Sequence, residues 1–176
     1  MIYLDTSSLL KLLYDEPESS AVRTAIGIED EVLVSVLTQL EACAQLKAAW
    51  LGGDYRRSRY LGYRKRLAAF HDLAPFRFVD LPTTLFATAM RQADAAGDLH
   101  LRTLDRLHLA AMQELGVTRL MTHDAQQERA ARELQYEAIS PGAIHDAIGP
   151  HGRVRGPGLQ QVVGRVPTRG VTSDGL

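Results

Sequence analysis

A chain of 176 residues that is 45% hydrophobic and carries a net charge of −1 is long enough to bury a core unaided, so one main domain is expected, with no need for disulfides or a structural metal. Its single cysteine, Cys43, can form neither an internal bridge nor a cysteine-rich zinc site, which points to a reducing cytoplasm. The opening MIYLD meets an acid at its fifth position without a basic flank, and no later stretch approaches the roughly 20 apolar residues of a membrane span, so neither secretion nor membrane insertion is expected.

Short apolar runs alternate with helical periodicity, the pattern of an α/β fold with a mainly parallel sheet. Residues 2–4 read as the first strand and residues 7–14 as a helix, which Pro17 stops because proline cannot donate in a helix interior. A helix over 18–26 carries Ala21, Val22, Ala25 and Ile26 on one side, and residues 32–36 form the second strand. The helix over 38–51 opens on Thr38 and Glu41, a capping-box pair, and closes on Gly52 and Gly53. A basic helix over 55–71 leads to a strand at 76–79. The helix over 83–95 shows an expected buried stripe of Leu85, Phe86, Ala89, Met90 and Ala93. A helix over 103–115 ends at Gly116, a strand follows at 119–122, then a helix over 124–134 and a weaker edge strand at 136–139. A central sheet of four or five strands flanked by helices is therefore expected. Residues 149–176 hold seven of the fourteen glycines, three prolines and no aromatic residue, too little apolar surface to offset ordering entropy. The expected organisation is a domain over 1–148 and a flexible tail over 149–176.

Four acids stand where this pattern places ligands. Asp5 and Asp124 follow strand-like runs, and ligands of open α/β sheets bind beyond the carboxyl ends of the strands. Glu41 and Asp105 fall in the first turns of expected helices. Four carboxylates meeting at one sheet edge repel one another, and they suit a hard divalent cation such as Mg²⁺ or Mn²⁺. Each acid also has a local reading. Asp5 and Asp124 suit helix N-caps, Glu41 a capping box, and Asp105 the positive end of a helix dipole. The two readings are compatible, because a helix N-terminus aims at the crevice in which a catalytic carboxylate must stand.

The blocks YLDTSSLLKLL with EPES, SVLTQLEACAQLKAAW, LRTLDRLHLAA and LMTHDAQQERAARELQYEAISPG span residues 2 to about 142. Together, in this order and spacing, they resemble a PIN-domain ribonuclease of the VapC toxin type. The resemblance implies a three-layer PIN-like fold and a metal-dependent endoribonuclease. It implies that Asp5, Glu41, Asp105 and Asp124 are the catalytic acids and hold one or two Mg²⁺ or Mn²⁺ ions, the same quartet reached from placement. It further implies an RNA substrate, a cognate antitoxin and a homodimer. Two positions depart from the family pattern: His123 stands where an aromatic residue is common, and Arg106 where a small one is usual. A catalytically silent PIN fold acting as an RNA- or protein-binding scaffold is the alternative, and the intact quartet argues against it. A receiver domain would need paired acids after the first strand and a late lysine. A haloacid-dehalogenase-type phosphatase would need an Asp where Ser7 stands.

Thr6, Ser7 and Thr122 flank the acids, and their hydroxyls are placed to orient a carboxylate or a water bound to the ion, with local capping an equal reading of Ser7. The segment DYRRSRYLGYRKR carries six basic residues against one acid. Arg56, Arg57, Arg59, Arg64 and Arg66 are candidate contacts to RNA phosphates, and Arg106 joins them beside the quartet. A solvated basic face is the competing reading, and Tyr60, Tyr63, Leu67 and Phe70 form a stripe of core or interface type. His108 shares a stripe with Leu104, Leu107, Ala111 and Leu115 and reads as a core or near-core residue rather than a metal ligand. Cys43 points away from Glu41 and reads as buried, while Asp98 and His100 fall in a loop.

Overall fold

The computed structural model describes residues 1–95 and 101–142. Five strands, β1 (Ile2–Leu4), β2 (Val32–Ser35), β3 (Phe76–Val79), β4 (Arg119–Met121) and β5 (Glu137–Ile139), form one all-parallel sheet in the order β3-β2-β1-β4-β5. Parallel strands need crossovers, and helices supply them. Helices α1 (Thr6–Leu13) and α2 (Ser19–Gly27) join β1 to β2. Helices α3 (Val36–Gly52) and α4 (Arg57–Ala69), with a 3-10 turn at Phe70–Asp72, join β2 to β3. Helices α5 (Leu85–Ala95) and α6 (Thr103–Leu115) precede β4, and α7 (Ala125–Glu133) precedes β5.

Side chains alternate across a strand, so the sheet carries two cores. Ile2, Leu4, Val32, Val34 and Met121 face one side and pack with Leu9, Leu13, Val22, Leu46 and Leu67 of α1 to α4. Tyr3, Leu33, Leu120 and Ala138 face the other, against Leu85 and Ala89 of α5, Leu109 to Met112 of α6, and Ala130 and Ala131 of α7. Strands buried on both faces explain why β1, β2 and β4 read as near-continuous apolar runs rather than alternating ones. The result is the expected three-layer arrangement, with β1 at its centre.

The chain runs outward from β1 through β2 to β3, then returns to the other side of β1 for β4. The strand order therefore reverses between β1 and β4, and the crevice at such a reversal is the usual ligand site. Asp5 leaves the end of β1 and Thr122 the end of β4, one on each side of it.

Two local expectations are corrected. Helix α3 opens on Ser35, whose side chain accepts from the Thr38 amide, so Thr38 lies inside the helix and Glu41 in its second turn rather than its first. The Thr38 hydroxyl instead donates to the Leu4 carbonyl at 3.1 Å. Gly53 closes the same helix with φ 91°, as the glycine pair suggested. In α5 only Leu85 and Ala89 of the expected stripe are buried, while Phe86 and Met90 are 64% and 63% exposed. Thr88 and Gln92 take the inward positions because α6 offers them partners, Glu114 for Thr88 and Gln113 with the Leu109 carbonyl for the Gln92 amide nitrogen. The expected tail over 149–176, with Asp98 and His100, lies outside the described residues.

Candidate active site at the carboxyl edge of the sheet

Asp5, Glu41, Asp105 and Asp124 line one small cleft of about 120 Å³ at the reversal point, together with Thr6, Ser7, Gln45, Arg102, His108 and Gln127. Both layers build it: α1 and α3 come from one face of the sheet, and α6 and α7 from the other. The four acids expected from sequence are thus brought together.

Asp5 is the most constrained. Its amide bonds to the Met121 carbonyl at 3.2 Å, which carries the β1–β4 pairing one residue past the strand. Its carboxylate caps α1 by accepting from the Ser8 amide at 2.9 Å, and it also accepts from the hydroxyls of Ser7 and, at 2.7 Å, Thr122. Capping and site placement are here one geometry. Burial still dominates: with 3% exposure, its carboxyl is pushed above the usual aspartate range despite these donors and the facing His108.

Glu41 behaves in the opposite way. Burial pushes it upward, but hydrogen bonds from His108 and Thr6 outweigh that and hold its carboxyl below the usual range. Thr6 Oγ1 and His108 Nε2 both bond to Oε2, at 2.6 and 2.5 Å. Asp105 sits in the first turn of α6, after an N-cap position, Arg102, that makes no side-chain cap bond. Burial and then the like charge of Asp124 push its carboxyl up, with Arg102 and His108 opposing. Its Oδ2 is buried and accepts no hydrogen bond from the described residues. Asp124 caps α7, accepting from the amides of Gln126 and Gln127 at 2.8 and 3.0 Å.

The flanking hydroxyls reach the acids. Thr6 donates to Glu41, and Thr122 stands between Asp5 and the Gln127 amide oxygen. Ser7 joins them by donating to Asp5 while accepting from the His123 amide. His123 links Ser8 to the Pro141 carbonyl and so ties the loop after β4 to α1. His108 is 2% exposed, as a near-core residue should be, yet it also reaches Glu41 and Tyr3. Its place three residues after Asp105, on the same face of α6, was the available signal. Arg102, which the sequence did not single out, lines the acid cleft, whereas Arg106 lines an apolar groove with Phe86, Met90 and Leu101.

Arg56, Arg57, Arg59, Arg64 and Arg66 are not among the cleft residues. Helix α4 packs on α3 and α1, burying Tyr63 and Leu67. Tyr60 stacks on Trp50 and Phe70 on Phe76. Arg66 donates to the Leu13 carbonyl at 2.7 Å, Arg64 to the Tyr60 hydroxyl, and Arg59 lies over the Tyr63 ring. Cys43 is partly buried against the first core.

The donor set suits a hard divalent cation: four carboxylates from separate segments, one with a buried unpartnered oxygen and two held above their usual range. As placed, no three acidic, histidine or cysteine side chains among the described residues stand close enough to enclose an ion. Among the described residues, no helix is long and apolar enough to cross a membrane.

The sequence profile of the PIN domain family matches residues 2–133. Ribonuclease VapC47 of Mycobacterium tuberculosis (strain CDC 1551 / Oshkosh) is 31% identical over 150 residues, covering 82% of this chain and 99% of its own. Ribonuclease VapC46 of M. tuberculosis (strain ATCC 25618 / H37Rv) is 34% identical over 145 residues, covering 80% and 97%. Among solved structures, M. tuberculosis VapC20, a sarcin-ricin loop cleaving toxin, superposes with a TM-score of 0.58 at 17% identity, over 74% of this chain and 95% of that one. VapBC2 from Rickettsia felis, bound to a DNA fragment from its promoter, gives 0.59 at 12% identity, over 79% and 98%. At such identities the structural likeness speaks to the fold.

Proposed function

Since the chain belongs to the PIN-domain family, we propose that it is a VapC-type endoribonuclease, the toxin of a toxin–antitoxin pair, and that its acid cleft hydrolyses RNA phosphodiester bonds with a divalent metal. The observation that carries this reading is the convergence of Asp5, Glu41, Asp105 and Asp124 on one cleft at the β1–β4 reversal, where burial, joined at Asp105 by the like charge of Asp124, leaves Asp5 and Asp105 reluctant to ionise. A cation relieves that cost. These four residues would hold one or two Mg²⁺ or Mn²⁺ ions. When bound, such an ion lowers the pKa of water and polarises the phosphoryl group.

The chain's own residues do the positioning. Ser7, Ser8 and Thr122 fix Asp5 in one rotamer, Thr6 and His108 fix Glu41, and the capping amides of α7 fix Asp124. Asp105 keeps one buried oxygen without a hydrogen bond from the described residues, so it has a lone pair to offer. Arg102, at the mouth, presents guanidinium donors to a phosphate that approaches the acids. Water is the nucleophile and no 2′-hydroxyl takes part, so the products carry 5′-phosphate and 3′-hydroxyl ends. Arg56 at the N-cap of α4 and Arg57, Arg59, Arg64 and Arg66 within it, together with Arg106, are the candidate contacts to RNA phosphates away from the cleft, although Arg66 also holds the Leu13 carbonyl.

An antitoxin of the VapB kind is the partner this reading implies, supported by the VapBC likeness. A homodimer in the cytoplasm, and a division of the chain into a nuclease domain over 1–148 and a tail over 149–176, belong to the same proposal. The test is cleavage of a labelled structured RNA by the purified chain, titrated with Mg²⁺ and with Mn²⁺. Metal-dependent cleavage that Asp105→Asn abolishes supports the reading. RNA binding without cleavage at any metal concentration would favour the scaffold alternative.

A further inference from the structure

With Glu41 ionised and the imidazole of His108 neutral, the hydrogen bonds behind Glu41 run in one direction. Nε2 of His108 stands 2.5 Å from Glu41 Oε2, and its Nδ1 stands 2.8 Å from the Tyr3 hydroxyl. That hydroxyl lies 2.6 Å from Ser35 Oγ, which accepts from the Thr38 amide at 3.2 Å. An ionised carboxylate only accepts, so Nε2 carries the hydrogen, and in a neutral imidazole Nδ1 must then accept. Tyr3 donates to it. The Ser35 hydroxyl donates to Tyr3, and the Thr38 amide donates to Ser35. The relay starts on the backbone of the first turn of α3, passes through the last residue of β2 and the middle of β1, and returns through α6 to the second turn of α3. Tyr3 is fully buried and His108 is 2% exposed, so solvent cannot substitute for either.

Thr6 and His108 both donate to Oε2, which leaves Oε1 outside both bonds. We infer that Tyr3 and His108 are positioning residues: Tyr3, at Nδ1, holds the imidazole so that Nε2–H of His108, with Thr6, pins Oε2 of Glu41 and leaves Oε1 for the divalent ion. This rests on the metal-dependent reading above. His108 itself is not a ligand, because its second nitrogen is taken by Tyr3.

Isosteric replacements separate this role from plain packing. The amide nitrogen of Gln reaches the place of Nε2 and can donate to Glu41, whereas Asn reaches only the place of Nδ1 and cannot. Mn²⁺ affinity is measured by calorimetry without RNA on the full chain, its Asp5→Asn control, His108→Gln, His108→Asn and Tyr3→Phe, with kcat and KM measured separately. His108→Asn should bind Mn²⁺ roughly 10–100-fold more weakly, with kcat lowered and the KM for RNA unchanged, while His108→Gln stays near the parent. Tyr3→Phe, which keeps the buried ring, should weaken Mn²⁺ in the same sense, and it decides the matter if His108→Asn does not fold. In the metal-free parent, nitrogen NMR should show the Nε2–H tautomer of His108. A parent that binds no Mn²⁺, or an Asp5→Asn control that binds as tightly, overturns the metal reading and this inference with it. A parent that binds Mn²⁺ while His108→Asn and Tyr3→Phe bind equally well, or an Nδ1–H tautomer, overturns the positioning role alone.

Discussion

Asp5 can be perturbed in two ways that separate its charge from its shape. Asp5→Asn keeps an oxygen for the Ser8 amide, so the N-cap of α1 survives, and the Ser7 and Thr122 hydroxyls can turn to accept from the new amide nitrogen. What disappears is a negative charge in a place that is 3% exposed. Burial raises this carboxyl, so ionising it costs folding free energy in the metal-free protein at neutral pH. The Asn variant should therefore be at least as stable as the parent in EDTA. Asp5→Ala also removes the charge, but it orphans the fully buried Ser8 amide. Loss of a cap costs about 1 kcal/mol, and an unsatisfied buried donor brings the total to roughly 2–3 kcal/mol. The Thr122 hydroxyl limits the damage by turning to the Gln127 amide oxygen at 3.2 Å. At about 3 °C per kcal/mol, Asp5→Ala should melt about 6–9 °C below Asp5→Asn. Urea and thermal unfolding in EDTA at neutral pH measure both gaps, and neither variant should cleave RNA. An Asn variant destabilised as much as Ala would mean that the ionised carboxylate is a net stabiliser, which refutes the account of a strained, cation-seeking acid.

The same acid sets a pH dependence. Asp5 and Asp105 have folded-state values above their unfolded ones, so their contribution to stability falls as pH rises from about 4 toward neutral, while Glu41, held low, contributes with the opposite sign. In EDTA the stability advantage of Asp5→Asn over the parent should widen across that range, and urea midpoints that stay parallel would reject it. Mn²⁺ at about 100 times its dissociation constant should stabilise the parent by roughly 2.7 kcal/mol and the Asp5→Asn variant by far less, and calorimetric melting curves that coincide with and without the ion would count against a site formed in the folded state. Neutralising Arg56 and Arg57 together should weaken RNA binding across sequences and lower the salt slope by about 0.7 for each phosphate that is no longer neutralised, measured on an Asp5→Asn background. An unchanged slope assigns that face to another role. Arg66 is the wrong residue for this test, because its bond to the Leu13 carbonyl makes its loss structural.

The strands and helices were legible because β1, β2 and β4 are buried on both faces and must be apolar throughout, and because glycine and proline punctuate the helices. The acids were legible for a related reason: in a parallel sheet all carboxyl ends lie on one edge, so Asp5 and Asp124 had to be neighbours if β1 and β4 were. The errors came from polar groups with partners distant in sequence. Ser35 and Thr38 are equally good caps by residue type, and only the Thr38 bond to the Leu4 carbonyl decides between them. Thr88 and Gln92 look outward-facing by hydropathy, and their burial depends on Glu114, Gln113 and the Leu109 carbonyl of α6. The second role of His108 was hidden in the same way, since Tyr3 is 105 positions away. Arg102 escaped notice because charge density drew attention to α4, while cleft geometry favours a single cation at the start of α6.

The most direct test of the central claim is the chemistry of the cut ends. A structured RNA incubated with the purified chain in Mg²⁺ or Mn²⁺ should give fragments with 5′-phosphate and 3′-hydroxyl termini, at internal positions, and Asp105→Asn and EDTA should each abolish them. Cleavage that persists in EDTA would contradict metal dependence, and fragments ending in a 2′,3′-cyclic phosphate would show that the 2′-hydroxyl is the nucleophile; either result contradicts metal-dependent hydrolysis at the acid cleft.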